Sequence, residues 1–342
     1  TDPGLVKAVI LPPVLHSLQD AGFQVTVYDR VQPDPHEHFV REAIQVARDS
    51  HCDMVIGLGG GSSLDVAKLV TVLINSEQEL PELYGIGKVI GQRLPLVNIP
   101  TTAGTGSEVT NIAILTTHDD SKMGIVSPQL YGDLVLLDAQ LTLGLPPVHT
   151  AAAGVHAIEA YTGKHKKNPL SDALAREALR LISRHLVTAC RDGNNREARE
   201  NVLLGAMLAG QAFANSPVAA VHALAYPLGA RHHIPHGLSN ALMLIPVLQF
   251  NASAAAPLYG ELAAVIGVKV TGDVANDARS FIAGMVKIIA ATGAPNRLRD
   301  VDVPEKDLPL LAHDAMQQTR LLDNNPVTLT EDDALRLYQQ AF

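Results

Sequence analysis

The sequence predicts a two-part chain: an α/β unit with a Rossmann-like parallel sheet over residues 1–145, and an all-α unit over 146–342. Three observations predict it. Short β-branched runs alternate with helical patterns as far as about Asp138. Strand signals fade after Leu145, Pro146 and Pro147, where helical ones take over. A glycine run, Gly59 to Gly61, follows one strand and opens a helix. At 342 residues, 47% hydrophobic and 18% charged, the chain has material for about two domains and a sizeable core.

In the first half, Gln24 to Tyr28, Met54 to Leu58, Leu96 to Ile99, Asn111 to Leu115 and Leu134 to Leu137 are short, apolar and bounded by Gly, Pro or Asp. That is how strands covered on both faces read. The segments His36 to His51 and Ser63 to Asn75 carry apolar residues at helical spacing. In the second half, Asn168 before Pro169 fits an N-cap with proline at the first helical position, and SDALAREALRLI carries an apolar stripe. Thr330 with Asp333 forms a capping-box pattern opening the last helix. About seven or more helices are expected there.

A net charge of −9 and a pI near 5.8 argue against nucleic acid or an anionic membrane surface as partner, since both select basic patches. The two cysteines, Cys52 and Cys190, stand far apart in no CxxC pattern and read as buried thiols in a reducing cytoplasm. The opening TDPGLVKAVI lacks signal-peptide features, and no apolar run reaches the ~18 residues of a membrane span. A cytosolic protein is the expectation.

Two segments carry nucleotide chemistry. MVIGLGGGSSLDVAK is a strand, a glycine turn at Gly59, Gly60 and Gly61, and a helix whose start is marked by Ser62 and Asp65. Glycines let backbone N–H groups approach an anion, and a helix N-terminus adds partial positive charge, so the turn suits a pyrophosphate. The dinucleotide fingerprint differs, because Ser62 takes the place of its last glycine. LVNIPTTAGTGSE leads a second strand into hydroxyls, Thr101, Thr102 and Thr105, at an edge where open α/β sheets bind ligands. Turn-forming and capping threonines are the alternative.

The third constellation is histidine. His222 and His236 bracket VHALAYPLGARHHIPHG at the expected end of one helix and start of the next, and His156 lies upstream in GVHAIEAYTG. Three neutral imidazoles around a divalent ion make a Lewis acid able to polarise a carbonyl or lower an alcohol's pKa.

Together these segments resemble the iron-containing, or group III, alcohol dehydrogenase family. GGGSSLDVAK and PTTAGTGSEVT are similar to its nucleotide signatures; HAIEAYT, KNPLSDALA, VHALAYPLG and PHGLSNA are similar to those of its helical domain. The likeness runs from Thr1 to Phe342. It implies a dehydroquinate synthase-like architecture with the active site in the cleft between the two domains. It further implies an oxidoreductase interconverting a small primary alcohol or diol and its aldehyde by hydride transfer to nicotinamide. A dimer follows by resemblance alone.

Residue by residue, the resemblance puts Gly60, Gly61 and Ser62 at the pyrophosphate, and Thr101, Thr102, Thr105 and Lys122 around the adenosine and nicotinamide ribose. By itself Lys122 reads as a surface lysine. Asp2 matches the carboxylate on the adenosine ribose hydroxyls, which favours NAD over NADP because a carboxylate repels a 2′-phosphate; a capping end residue is its plainer reading. His156, His222 and His236 match three ligands of Fe2+, with Zn2+ an alternative ion, and Tyr226 stands where many members have a proton-relaying histidine.

The chain departs from that pattern in two further places. The family's metal-binding Asp, four residues before its first metal histidine, is missing, and Ala152 stands there; Glu159 points away on position alone. The chain also starts where relatives have a strand and helix, so an interior sheet edge is left unpaired. A natural chain longer than this sequence accounts for both. The competing expectations are a glycerol dehydrogenase, maleylacetate reductase or hydroxyacid-oxoacid transhydrogenase of the same architecture, or a metal-deficient nucleotide-binding protein with little activity.

Overall fold

The computed structural model describes residues 1–118, 121–146 and 154–342. The chain divides into two compact units. One comprises Thr1–Thr102 and Ser107–Leu141, the other Ala103–Gly106 and Thr142–Phe342.

The first unit is α/β. Strands β1 (Val55–Gly59), β3 (Leu96–Pro100) and β6 (Leu134–Val135) form a parallel sheet in the order β1-β3-β6, with Val55 opposite Leu96 and Val97 opposite Leu134. Helices α1 (Pro3–Lys7), α2 (Leu11–Asp20), α3 (Glu37–Asp49), α4 (Gly61–Leu73) and α5 (Leu80–Leu83) complete it. The core collects Val40 and Ile44 of α3, Leu69 and Leu73 of α4, and Leu83 of α5. Helix α4 is buried continuously from Ser63 to Leu73, so it is covered on all sides rather than along one stripe, with its polar residues buried too.

Three expectations for this unit need correction. Gln24 to Tyr28 forms no strand or ladder among the described residues, and Phe23 and Val27 are exposed. β-branched residues fit a pleated surface only when a neighbouring strand supplies one. Ile112–Thr116 (β4) leaves the parallel sheet for a second one, ordered β2-β5-β4, in which it runs antiparallel to β5 (Lys122–Val126) beside the short β2 (Gly85–Ile86). The sequence KMGIV of β5 is too polar on one face to read as a doubly covered strand. Ser62 and Asp65 do not cap α4 either. Gly60 is its N-cap, and the Asp65 carboxylate turns inward.

That inward turn feeds a buried polar network. Lys68 Nζ, fully buried, donates to Asp65 Oδ1 (3.2 Å), Ser107 Oγ (2.7 Å), Thr110 Oγ1 (3.2 Å) and the Ile112 carbonyl (2.8 Å). Asp65 Oδ2 accepts from the Ile114 N–H at 2.9 Å, so α4 is bound to β4 by charge as well as by packing. Burial pushes the neighbouring Glu108 carboxyl up to about 7, with Lys68 pulling the other way.

The second unit is helical: among the described residues it contains α6 (Val155–Thr162), α7 (Pro169–Arg191), α8 (Arg196–Asn215), α9 (Ala220–His232), α10 (His236–Val265), α11 (Val274–Thr292), α12 (Leu308–Ala315), α13 (Thr319–Asp323) and α14 (Glu331–Ala341). Asn168 caps α7 by accepting from Leu170 and Ser171, and Thr330 with Asp333 forms the expected box at α14. Among the described residues α10 is the one single helix long and apolar enough to cross a bilayer. Half of its most apolar window is buried in the unit, as in a core helix.

Candidate metal centre and nucleotide turn

In the helical unit, His156 is the second residue of α6, His222 the third of α9 and His236 the first of α10. His222 therefore opens a helix, contrary to the expectation that it closes one. Ser216 and Pro217 end the preceding helix α8 at Asn215, because proline offers no N–H to continue it, and α9 starts afresh at Ala220.

The three rings converge. Their nearest nitrogens all lie within 4.8 Å of one another, with His156 and His222 buried and His236 half-buried. His222 Nε2 and His156 Nε2 are 2.9 Å apart. The His222 Nδ1–H donates to Glu159 Oε2, whose companion Oε1 accepts the Val221 N–H at 2.7 Å. Glu159 thus reaches the cluster from behind His222, at Nδ1 rather than at the facing Nε2, and fixes the tautomer of that ring. Sequence reasoning missed this role, because helical position alone does not show that a side chain reaches a second helix.

His156 stacks on Phe213 with ring centroids 4.8 Å apart. Burial, with His222 and His236 alongside, holds its pKa well below the ordinary histidine range, against a hydrogen bond to the Gly104 backbone that works the other way. Gly104 lies in the short segment Ala103–Gly106, which packs in the helical unit. Gly106 makes this packing possible. Its φ is +63°, and a Cβ on it would stand 2.5 Å from Gly210 Cα of α8. Thr105 belongs to this segment, and the structure groups it with the helical unit rather than with Thr101 and Thr102.

The donor set fits a divalent transition metal. With Nδ1 of His222 satisfied by Glu159, its Nε2 faces Nε2 of His156 at 2.9 Å. A cation beside the pair would take both nitrogens in their lone-pair form. Imidazole bonds of ~2.0–2.1 Å in a tetrahedral site give nitrogen edges of about 3.3 Å, within a few tenths of an ångström of this spacing. No carboxylate joins the cluster among the described residues. Ala152, where an acid was expected, lies outside them. Tyr226, one turn beyond His222 on α9, places its ring 6.1 Å from that of His236.

In the α/β unit, β1 delivers the glycine turn to the start of α4. Gly59 has φ +149°, and a Cβ there would come within 2.7 Å of Ser63. Conformational freedom is therefore needed at Gly59, whereas Gly60 has an ordinary φ of −78°. Thr101 N–H donates to the Gly59 carbonyl at 2.9 Å, and Thr102 stands against Gly60, so both threonines meet the turn together with Gly61 and Ser62.

Asp2 also reaches the turn. It caps α1 by accepting from Gly4 (2.8 Å) and Leu5 (3.2 Å), and its Oδ2 accepts from Ser63 Oγ at 3.3 Å. The capping reading of Asp2 is therefore real, and it places the carboxylate at the glycine loop. Lys122 is not a surface lysine. Its side chain is buried on β5, and its ammonium pairs with Asp34 at 2.6 Å.

Comparison with known proteins agrees with both halves. Residues 1–139 match iron-containing alcohol dehydrogenase, and residues 151–342 match the C-terminal part of the Fe-containing alcohol dehydrogenase family. Long-chain-alcohol dehydrogenase 1 of Geobacillus thermodenitrificans is 40% identical, the alignment covering all of this chain and 88% of that protein. The crystal structure of a 1,3-propanediol oxidoreductase superposes with a TM-score of 0.95 at 35% identity, over all of this chain and 90% of that one. Sulfoacetaldehyde reductase from Bifidobacterium kashiwanohense, solved in complex with NAD+, superposes with a TM-score of 0.87 at 29% identity, over 99% and 89% of the two chains. With both halves matched and a three-histidine cluster suited to a metal, this chain belongs to the iron-containing alcohol dehydrogenase family.

Proposed function

We propose that this chain interconverts a small primary alcohol or diol and its aldehyde by hydride transfer between the carbinol carbon and NAD. The observation that carries the reading is the convergence of His156, His222 and His236, two buried and one half-buried, with Glu159 holding His222 in the tautomer whose Nε2 carries the lone pair. These three imidazoles would hold ferrous ion, or zinc. When bound, such an ion supplies Lewis acidity, which polarises the aldehyde carbonyl or lowers the pKa of the alcohol.

The chain's own residues orient and exclude. Burial of His156 and His222 keeps water from the inner side of the site. Tyr226, whose ring lies 6.1 Å from that of His236, would pass a hydrogen bond through its hydroxyl, which can both donate and accept.

Gly60, Gly61 and Ser62, at the N-terminus of α4, receive the pyrophosphate on backbone N–H groups. Thr101, Thr102 and Thr105 serve the ribose and nicotinamide, with Lys122 set in place by Asp34. Asp2, adjacent to the turn, accepts from the adenosine ribose and disfavours a 2′-phosphate, so NAD is the cofactor rather than NADP. The bound NAD+ of the sulfoacetaldehyde reductase supports that choice. The α/β unit, residues 1–145, is the NAD-binding part and 146–342 the metal-binding part. The protein acts in the cytoplasm as a homodimer.

Purified protein supplied with NAD, ferrous ion and a panel of short alcohols and diols should form NADH, and His222→Ala should abolish it. NAD binding without turnover in either ferrous ion or zinc would overturn the reading.

A further inference from the structure

We propose that Asn240 is a fourth, neutral ligand of the metal centre, its side-chain carbonyl supplying the oxygen that no carboxylate provides; the inference rests on the dehydrogenase reading above. The chain has no acidic residue between Asp138 and Glu159, so the segment leading to His156 cannot furnish a carboxylate. Both oxygens of Glu159 are engaged, one by Val221 and one by His222. Asn240 remains. It lies four residues after His236 on α10, one turn along the same face, and is 1% exposed.

Its amide end reaches the cluster. Nδ2 is 3.2 Å from His222 Nε2 and 3.1 Å from His236 Nε2, separations close to an edge of a four-coordinate site. At the other end Oδ1 is buried without a hydrogen-bond partner among the described residues. A buried carbonyl left unpaired is unfavourable and calls for an explanation. A half-turn of the amide exchanges the two atoms: Nδ2 gives up its contacts to the imidazoles for the place Oδ1 now holds, and Oδ1 comes against the ring nitrogens, where a cation would satisfy it. The amide is thus a donor that holds the imidazoles in place, and an oxygen ligand once a cation lies among them. The spacing that the family uses before its first metal histidine, a polar ligand one turn from a histidine on one helical face, recurs here after the third.

A neutral amide oxygen with three imidazoles makes a site without an anionic ligand, so replacing it with a carboxylate should strengthen binding. The test is titration of the full chain with Co2+ in competition with a chromophoric chelator, read together with the visible absorption of the bound Co2+. Asn240→Ala should weaken Co2+ binding by about tenfold or more, with altered absorption bands. The near-isosteric Asn240→Asp should bind Co2+ more tightly than the wild type, and it decides the matter should Asn240→Ala fail to fold.

Asn240→Ala with affinity within about twofold of wild type and unchanged bands would overturn the proposal, as would weaker binding by a folded Asn240→Asp. His222→Ala separates this from the parent reading. If it abolishes Co2+ binding while Asn240→Ala does not, the metal centre stands and only the role of Asn240 falls. If the wild type itself takes up no Co2+, both fall.

Discussion

Replacing Glu159 by Gln separates tautomer control from mere packing, because the side chain keeps its size and loses one acceptor. Glu159 accepts from two buried donors, the Val221 N–H at 2.7 Å and the His222 Nδ1–H. A glutamine has one acceptor oxygen to offer both. Either one donor is stranded in a site where Glu159 is 4% and His222 2% exposed, or His222 takes the other tautomer with its proton on Nε2. Stranding a buried donor costs about 1–3 kcal/mol. Moving the proton to Nε2 blocks the nitrogen that faces His156, and loss of such a partner weakens metal binding by roughly 10–100-fold.

The two outcomes read differently. Urea unfolding of the metal-free protein reports the stranded donor, and chelator competition reports the blocked nitrogen. Glu159→Gln should therefore lose about 1–3 kcal/mol of stability, roughly tenfold or more in metal affinity, or part of each. A variant that keeps its stability within about 0.5 kcal/mol and its affinity within about twofold would refute the reasoning.

Other predictions follow from the α/β unit and the glycine segment. Lys68→Met leaves the Asp65 carboxylate without its buried cation and should lower stability by about 3–5 kcal/mol in urea unfolding. A loss below about 1 kcal/mol would show that the remaining bonds from Ser107 and Ile114 suffice. Gly106→Ala should destabilise by about 2–5 kcal/mol, combining a left-handed φ with a Cβ driven into Gly210, whereas Gly104→Ala meets nothing within 4 Å and should be nearly neutral by the same melting assay. Glu108, pushed up to about 7 by burial, holds a proton more firmly in the folded chain than in the unfolded one. Its contribution is complete below the ordinary carboxylate range and is lost as pH rises through about 7, by at most about 3–4 kcal/mol. Unfolding free energies at mildly acidic and mildly alkaline pH should therefore differ in wild type, and Glu108→Gln should flatten the difference.

The strands at Val55 and Leu96 were legible because both are covered on two faces and bounded by breakers, and the caps at Asn168 and Thr330 because capping is a local event. Gln24 to Tyr28 misled, since β-branched residues signal a strand only where a partner lies alongside. The hairpin strand Lys122–Val126 escaped notice because its polar and glycine residues carry no doubly buried pattern. At the histidine cluster, residue type and motif order pointed to three ligands. The supporting partners were hidden, because Glu159 reaches His222 across 63 positions and Gly104 belongs to a segment read as nucleotide-binding. Asn240 was within reach of sequence reasoning: the spacing rule that looked for an acid before His156 also finds Asn240 one turn after His236.

Placing all three histidines in the first turns of helices has an electrostatic consequence. Each helix N-terminus disfavours nearby positive charge by about 0.3–1 kcal/mol, so three together oppose an imidazolium by about 1–3 kcal/mol. The downward shift of His156 runs the same way as this field. Helix placement thus works in the same direction as burial at His156, toward the neutral ring that donates a lone pair. The same field opposes a divalent cation, and the three ring ligands bring no charge to offset it. Glu159 is the buried carboxylate that does, acting from behind one imidazole. At an effective dielectric constant near 20, a carboxylate at that remove attracts a unit charge by about 2–3 kcal/mol, the same size as the opposition from the helix ends. On the proposed reading Glu159 would offset the electrostatic penalty of holding an ion among these rings, so the affinity would depend on a residue that never touches the ion.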